Sequence, residues 1–114
     1  MSTDGILAEQ QRLARLLTFL DHDPGNLTLI CDAMGKAIAL GDLAIGQQLI
    51  EHVKIHGIED PRVFANGAHL LLQAGDYSAA AAFGDQAIAA GLNDPAVVFN
   101  TALGHFHSAD FSAA

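Results

Sequence analysis

The amino-acid sequence predicts an all-α protein built from repeated helix pairs, and three observations support this fold class. First, the chain repeats itself every 34 residues, as the steps from Asp42 to Asp76 and Asp110 and from Pro61 to Pro95 show. A repeat of this length is typical of a helical solenoid. Second, alanine dominates the second half and only 6% of the residues are aromatic, which favours closely packed helices over a sheet. Third, glycine, proline and aspartate fall regularly between apolar segments, where helices would begin and end.

The first predicted helix covers residues 5–20, where leucine and isoleucine recur at helical spacing between Glu, Gln and Arg side chains. Thr3 or Asp4 can cap its start through a side-chain oxygen. The helix must end before Pro24 and Gly25, because neither residue continues a helix readily.

The next four predicted helices form two pairs of similar design, and each pair turns at a Gly-Asp dipeptide. Asn26 can cap the first of these helices, and Asp60 can cap the third, with Pro61 at the first helical position, where its missing N–H does no harm. Gly57 and Gly91 are expected to end the second and fourth as left-handed caps. Because the connections are short, the helices of each pair must run antiparallel. The predicted ranges are 27–40, 43–56, 61–74 and 77–90.

The last part of the chain is predicted to hold an incomplete pair. A sixth helix is expected over about 95–108, and Asp110 is expected to open a seventh helix that has no room to finish. This arrangement would leave an apolar strip around Leu103, Phe106 and Phe111 without a covering helix.

We interpret residues 1–114 as a single domain with four parts. These parts are an unpaired helical segment at 5–26, a first unit at 27–60, a second at 61–94 and a truncated third at 95–114. Two explanations of the truncated unit stay open. The preferred one is that the chain is a fragment of a longer repeat array or of a larger protein. The other is weak head-to-tail association between copies through the two unpaired terminal helices.

Charge and cysteine content bear on the partners and the compartment. The chain has 13 acidic and 5 basic residues and a net charge of −8, so neither nucleic acid nor an anionic membrane surface is an expected partner. Cys31 is the only cysteine, which excludes an intrachain disulfide and suits a reducing compartment. The sequence shows no secretory signal and no long apolar segment, so we predict a cytoplasmic protein without a transmembrane helix. The basic residues are scattered along the sequence as Arg12, Arg15, Lys36, Lys54 and Arg62.

The second unit carries the clearest copy of the repeat. Counted from Pro61 as position 1, it has a bulky residue at position 4, small residues at positions 8, 20 and 27, and a Gly-Asp-Tyr turn between them. The residues are Phe64, Ala68, Ala80 and Ala87, with the turn at 75–77. This pattern, which extends over nearly the whole chain, resembles the tetratricopeptide repeat family. The resemblance implies a right-handed superhelix of antiparallel helix pairs, a tetratricopeptide-repeat-like solenoid of about six helices. It also implies a concave groove that binds a protein or an extended peptide.

Two positions of the repeat depart from the family pattern. Gly84 in the second unit and Ile50 in the first stand where a large aromatic residue is usual. The repeat gives no reason for Gly84 beyond a shallow spot on that side. Met34 stands where a small residue is usual. We expect Met34 to face Gly46, because a large side chain opposite glycine conserves the summed volume of a close contact.

The resemblance implies that the first helices of all three units line the groove, with Thr28, Cys31, Asp32, Gly35, Ile38 and Ala39 facing it in the first unit. We predict the ligand-binding side chains on the first helices of the second and third units. Asn66 and Asn100 occupy equivalent positions there, and Asp32 takes the same position in the first unit. A carboxamide can pair with a peptide backbone without reading its sequence, although local hydrogen bonding is an alternative use of both asparagines. Phe99 can serve as an apolar anchor. The full predicted set is Arg62, Asn66, His69, Gln73, Phe99, Asn100 and Leu103.

The sequence predicts no catalytic, cofactor or metal site. His52 and His56 share one helix face but lack an evident third ligand, so we interpret them as part of a solvated face. Of the residues that clamp a C-terminal carboxylate in some members of the family, only Asn66 has a counterpart here, and the cations are missing. We therefore predict a non-enzymatic scaffold that binds a protein or peptide. The alternatives are an accessory repeat domain of a larger enzyme, such as a transferase, and a small secretion-type chaperone.

Overall fold

The computed structural model of the chain describes residues 3–113, and it describes the side chains of residues 4–109. This part of the chain forms six α-helices and no strand, so the predicted all-α class is confirmed. The helices are α1 (Thr3–His22), α2 (Leu27–Leu40), α3 (Leu43–Ile55), α4 (Pro61–Gln73), α5 (Tyr77–Ala89) and α6 (Pro95–Ala113).

The 34-residue step recurs in the residues that begin the helices. A side-chain oxygen accepts a hydrogen bond from a backbone N–H of the first turn in each of α2 to α6, which satisfies a donor that the helix itself leaves unpaired. The distances from the donor nitrogen to this oxygen lie between 2.9 and 3.3 Å. The accepting side chains are those of Asn26, Asp42, Asp60, Asp76 and Asp94.

The turn inside each helix pair depends on a glycine. Gly41 and Gly75 have φ angles of 65° and 79°, in the left-handed region that a residue with a Cβ enters at a cost. The following aspartate N–H then reaches back to a carbonyl of the preceding helix, at 3.0 Å from Asp42 to Ala37 and 2.9 Å from Asp76 to Leu71. This closing bond ends α2 and α4 and reverses the chain.

The predicted seventh helix is wrong, because α6 continues without a break through Asp110 to Ala113. Ala109 stands one repeat step after Gly75 and two steps after Gly41. Alanine adopts the left-handed conformation only at a cost of about 1–2 kcal/mol, so the signal that ends α2 and α4 is missing and the helix goes on. The side chain of Phe111, which we expected in the apolar strip, lies outside the described side chains, and Ala114 lies outside the described residues.

Helices α2, α4 and α6 form a row, and the other three helices pack against it. Each helix contacts its neighbours in sequence, and α2 also contacts α4, as α4 contacts α6. Among residues 3–113, α1, α3 and α5 do not contact one another. The row of α2, α4 and α6 is therefore continuous. Helix α1 packs against α2 at the end of the row, α3 packs against α2 and α4, and α5 packs against α4 and α6.

The core is centred where α2, α3 and α4 meet, and α1 joins it through Leu13 and Leu20, which are both 3% exposed. Beyond α4 the core residues become small, since α5 buries only alanine and glycine. Small side chains let helix axes approach closely. The largest fully buried side chains are Ile30, Met34, Leu49, Ile50 and Val63.

Packing against the following helix explains the glycines at positions 84 and 46. A Cβ added to Gly84 would lie 2.0 Å from Thr101 Oγ1 on α6, so Gly84 marks a close helix contact and not a shallow spot. A Cβ on Gly46 would first meet Leu70 of α4, at 3.0 Å. A side chain at position 46 would therefore meet Leu70 first. Leu70, and not the expected partner Met34, is the nearest neighbour of this position.

Within residues 3–113, no helix has both the length and the hydropathy that a membrane crossing requires.

Candidate functional site

A cavity of about 280 Å³ lies between α4 and α6. It is formed by one side of α4, the connection that follows α5 and the first turns of α6. Four of the seven predicted binding residues meet in it. The lining residues are Arg62, Ala65, Asn66, His69, Leu92, Asp94, Ala96, Val97 and Asn100.

The repeat explains why Asn66 and Asn100 meet. Asp60 and Asp94 cap α4 and α6 one repeat step apart, through hydrogen bonds of 2.9 Å to Arg62 N and Ala96 N. Each asparagine lies six residues after its cap. Because α4 and α6 contact each other, the two carboxamides come to line the same cavity.

Both asparagine side chains are half-buried and have no hydrogen-bond partner in the part of the chain that the structure describes. The alternative interpretation, that they serve local hydrogen bonds, therefore finds no contact to support it. A carboxamide has two N–H donors and an acceptor oxygen. Two such groups in a concave site can form hydrogen bonds to the N–H and C=O groups of a bound backbone.

The charged groups of this cavity lie at its rim. Arg62 is exposed and its Nε is 3.6 Å from an Asp60 carboxylate oxygen, a distance at which an exposed ion pair contributes little to stability. His69 is also exposed. These side chains are free to reorient toward a ligand, whereas the asparagines are held by the packing of two helices.

The other three predicted residues do not line the α4–α6 cavity. Gln73 donates a hydrogen bond from Nε2 to the Ile38 carbonyl of α2 at 3.0 Å, so it links two helices of the row. Phe99 is 63% exposed, and Leu103 is half-buried on α6.

A larger cleft, of about 720 Å³, lies between α1 and α2. Four of its residues (Cys31, Asp32, Gly35 and Ala39) stand at groove positions of the first unit, but the repeat did not predict the basic side chains beside them. Three of the five basic residues gather there, although they are scattered along the sequence. The only signal in the sequence is that Arg12 and Arg15 are three residues apart, and so share a helix face. The residues of this α1–α2 cleft are Glu9, Arg12, Arg15, Leu16, Phe19, Cys31, Asp32, Gly35, Lys36 and Ala39.

Glu9 connects the two sides of the α1–α2 cleft. Its carboxylate accepts a hydrogen bond from Lys36 Nζ at 2.9 Å and another from Arg12. The pKa of Glu9 lies below its ordinary value, mainly because of the Lys36 hydrogen bond, while desolvation acts in the opposite direction. Burial raises the pKa of the Cys31 thiol. Arg15 has no ion-pair partner in the described residues.

One face of α6 is uncovered. Val98 and Phe106 are 46% and 62% exposed. By contrast Phe64, one repeat step before Val98, is only 9% exposed and packs edge-on against Phe83 of α5. The difference arises because α5 covers α4, while no described helix covers the equivalent face of α6.

The histidine pair of α3 has a structural contact. The rings of His52 and His56 are 4.4 Å apart, and His52 Nε2 lies 2.8 Å from the Pro24 carbonyl oxygen in the connection between α1 and α2. Within the described residues no third His, Cys, Asp or Glu joins them to form a possible metal site.

Comparison of the chain with protein-family profiles, with curated proteins and with solved structures found no match.

Proposed function

We propose that the chain is a non-enzymatic scaffold module that binds a protein segment or an extended peptide across α2, α4 and α6. In this proposal the helices form a right-handed solenoid of the tetratricopeptide type, and the α4–α6 cavity is the central part of its concave groove. The recurrence of helix caps at the repeat step and the continuous row of α2, α4 and α6 support this architecture.

The observation that carries the proposal is the pair of unpaired carboxamides of Asn66 and Asn100. Neighbouring packed helices are separated by about 8–10 Å, and three residues of an extended peptide span about 10 Å. Equivalent side chains on α4 and α6 can therefore contact peptide groups three residues apart. Such contacts bind the backbone and leave the sequence preference to the residues around them, including the exposed Phe99.

The test is to select extended peptides from a displayed random library and to measure their affinity by calorimetry. The double variant Asn66→Ala/Asn100→Ala is expected to weaken binding about 30-fold, from about 1 kcal/mol for each lost hydrogen bond. Gln86→Ala is the matched control, because Gln86 is an exposed carboxamide on α5, outside the cavity.

The melting temperature of the double variant should stay close to that of the wild type, because neither carboxamide has a partner within the described chain. If the selected peptides bind the double variant as tightly as the wild type, the groove proposal is wrong. If no peptide is selected at all, the proposal is equally contradicted.

A further inference from the structure

We infer that the α1–α2 cleft binds an amphipathic α-helix of a partner protein, with an apolar face and acidic side chains beside it. This inference concerns a surface other than the α4–α6 cavity. It goes beyond the peptide-binding proposal because it assigns a second site with its own partner chemistry.

The cleft corresponds to a place that a helix already occupies one unit further on. Lys36 and Ala39 line the cleft on α2, and one repeat step later α4 has Leu70 and Gln73. That side of α4 is covered by α2, to which Gln73 donates its hydrogen bond at Ile38. The α1–α2 cleft is therefore the counterpart of a surface that binds a helix.

The apolar pattern of α1 supports the same equivalence. Leu13, Leu16, Leu17 and Leu20 of α1 have the spacing of the buried residues of α3. Helix α1 thus stands to α2 as α3 stands to α4. Helix α2 packs against both α3 and α4. The equivalent place beside α1 and α2 holds no helix of the described chain and is an open cleft of about 720 Å³. The buried α3 residues with the same spacing are Gly46, Leu49, Ile50 and Val53.

The charges of the cleft are not part of the repeat. The α3 counterparts of Arg12 and Arg15 are uncharged, and the α4 counterpart of Lys36 is an apolar residue. The cleft therefore has the shape of a helix-binding surface but carries three cations that its counterpart lacks, and these cations determine which charges a bound helix can have. The apolar pattern aligns α1 with α3 at an offset of 33 residues, so Arg12 and Arg15 correspond to Ile45 and Gln48, and Lys36 corresponds to Leu70 at the 34-residue step.

The floor and rim of the cleft together define the partner. Leu16 is half-buried and Phe19 is 55% exposed, so the floor offers apolar surface to the apolar face of a helix. Glu9 binds Lys36 and Arg12, whereas Arg15 and the exposed Asp32 have no ion-pair partner in the described residues. A guanidinium forms strong, often bidentate contacts with a carboxylate. With three cations and the two carboxylates of Glu9 and Asp32, the lining has a net charge of +1 in a chain whose net charge is −8, so the rim favours an acidic helix over a basic one.

A second copy of this chain fits less well. The helix with an uncovered apolar face is α6, and its described side chains, residues 95–109, include no aspartate or glutamate. Such a helix fills the cleft without supplying a carboxylate to Arg15. Charge complementarity therefore favours a different, acidic partner.

The probe is a displayed library of helical peptides of about 15–18 residues, with a fixed leucine face and randomised polar positions. Selection on the full chain is expected to enrich Glu and Asp at the positions that border the leucines. A selected acidic peptide and its matched Glu→Lys version are then titrated by fluorescence anisotropy. The acidic peptide should bind, the Lys version should not, and the affinity should fall as salt rises.

Two charge-reversal variants test whether the acidic peptide binds in the α1–α2 cleft. Arg15→Glu is expected to weaken binding of the acidic peptide about 10-fold or more. Lys54→Glu is the control, because Lys54 is an exposed base on α3 outside the cleft. Asn66→Ala/Asn100→Ala should leave this binding unchanged, which separates a failure here from a failure of the groove proposal. Far-UV circular dichroism verifies that each variant is folded.

Three outcomes overturn the proposal. The first is enrichment of neutral or basic polar faces, or of no helix. The second is equal weakening by Arg15→Glu and Lys54→Glu. The third is a dimer in analytical ultracentrifugation that Phe19→Glu dissociates, since that result assigns the cleft to a second copy of the chain.

Discussion

At the scale of single residues, helix packing in this protein conserves volume by exchanging large and small partners. A Cβ on Gly67 of α4 would lie 2.4 Å from Phe83 Cδ2 of α5 and 3.3 Å from Ile50 Cδ1 of α3. One repeat step later the roles are reversed, because Gly84 of α5 faces Thr101 of α6. Thr101 is 4% exposed and its hydroxyl donates to the Val97 carbonyl at 2.7 Å, so its polar atom is satisfied. Close packing requires such compensation.

The first prediction follows from that contact. Gly84→Ala should destabilise the protein by about 1–3 kcal/mol, the usual cost of overpacking, since the new Cβ would also lie 2.8 Å from Thr101 Cβ. Gly35→Ala is the matched control, because nothing lies within 4 Å of a Cβ at this other helical glycine. That change should stabilise the protein by up to about 1 kcal/mol. Urea unfolding measures both, and a Gly84→Ala variant as stable as the wild type contradicts the packing argument.

At the scale of helices, the local signals that begin and end each element account for most of the fold. The predicted range of α2 agrees with the structure, and those of α3, α4 and α5 end one residue late. These bounds were predictable because a cap acts within a few residues of its position. The end of α6 was mispredicted because the repeat was continued through Asp110 without its glycine. A single residue, Ala109, decides between a turn and a longer helix.

The second prediction tests that decision. Ala109→Gly should favour a turn before Asp110, because it restores the Gly-Asp pair that ends α2 and α4. The measurement is the helical chemical-shift signal of residues 110–113 by nuclear magnetic resonance, which should fall. Ala102→Gly is the control, since this exposed site in the middle of α6 is not followed by aspartate. It should lower stability by about 1 kcal/mol and leave residues 110–113 helical, and an equal effect of both variants would exclude a specific turn signal.

The third prediction concerns the connection between α1 and α2 through Glu9. The pKa of Glu9 is lower in the folded chain than its ordinary value. The Glu9 interaction therefore adds stability above the unfolded-state pKa and loses it as the pH falls through the folded-state pKa. Glu9→Gln should be less stable than the wild type at neutral pH, and the difference should vanish in acid. Urea unfolding across this pH range measures it, with Glu59→Gln as the control because Glu59 is exposed and has no ion-pair partner in the described residues. A difference that persists in acid would contradict an electrostatic origin.

At the scale of the whole molecule, the repeat predicted one candidate site and only the α2 side of the other. Asn66 and Asn100 could be placed together because they are one step apart on consecutive units. The α1–α2 cleft could not, because Lys36 lies far along the sequence from Arg12 and Arg15. Their meeting depends on how α1 packs against α2. The requirement for Gly84 was also hidden, since it arises from a residue on another helix.

The uncovered face of α6 gives the last prediction. Val98→Gln/Phe106→Gln should change the free energy of unfolding by less than about 1 kcal/mol, because both side chains are already largely in contact with solvent. Phe64→Ala is the comparison on the covered α4, where a buried phenylalanine should cost about 3–5 kcal/mol. The double variant should also bind less of a dye specific for apolar surface. If it instead unfolds as easily as Phe64→Ala, this face is covered in solution, and sedimentation at several concentrations then shows whether a second copy covers it.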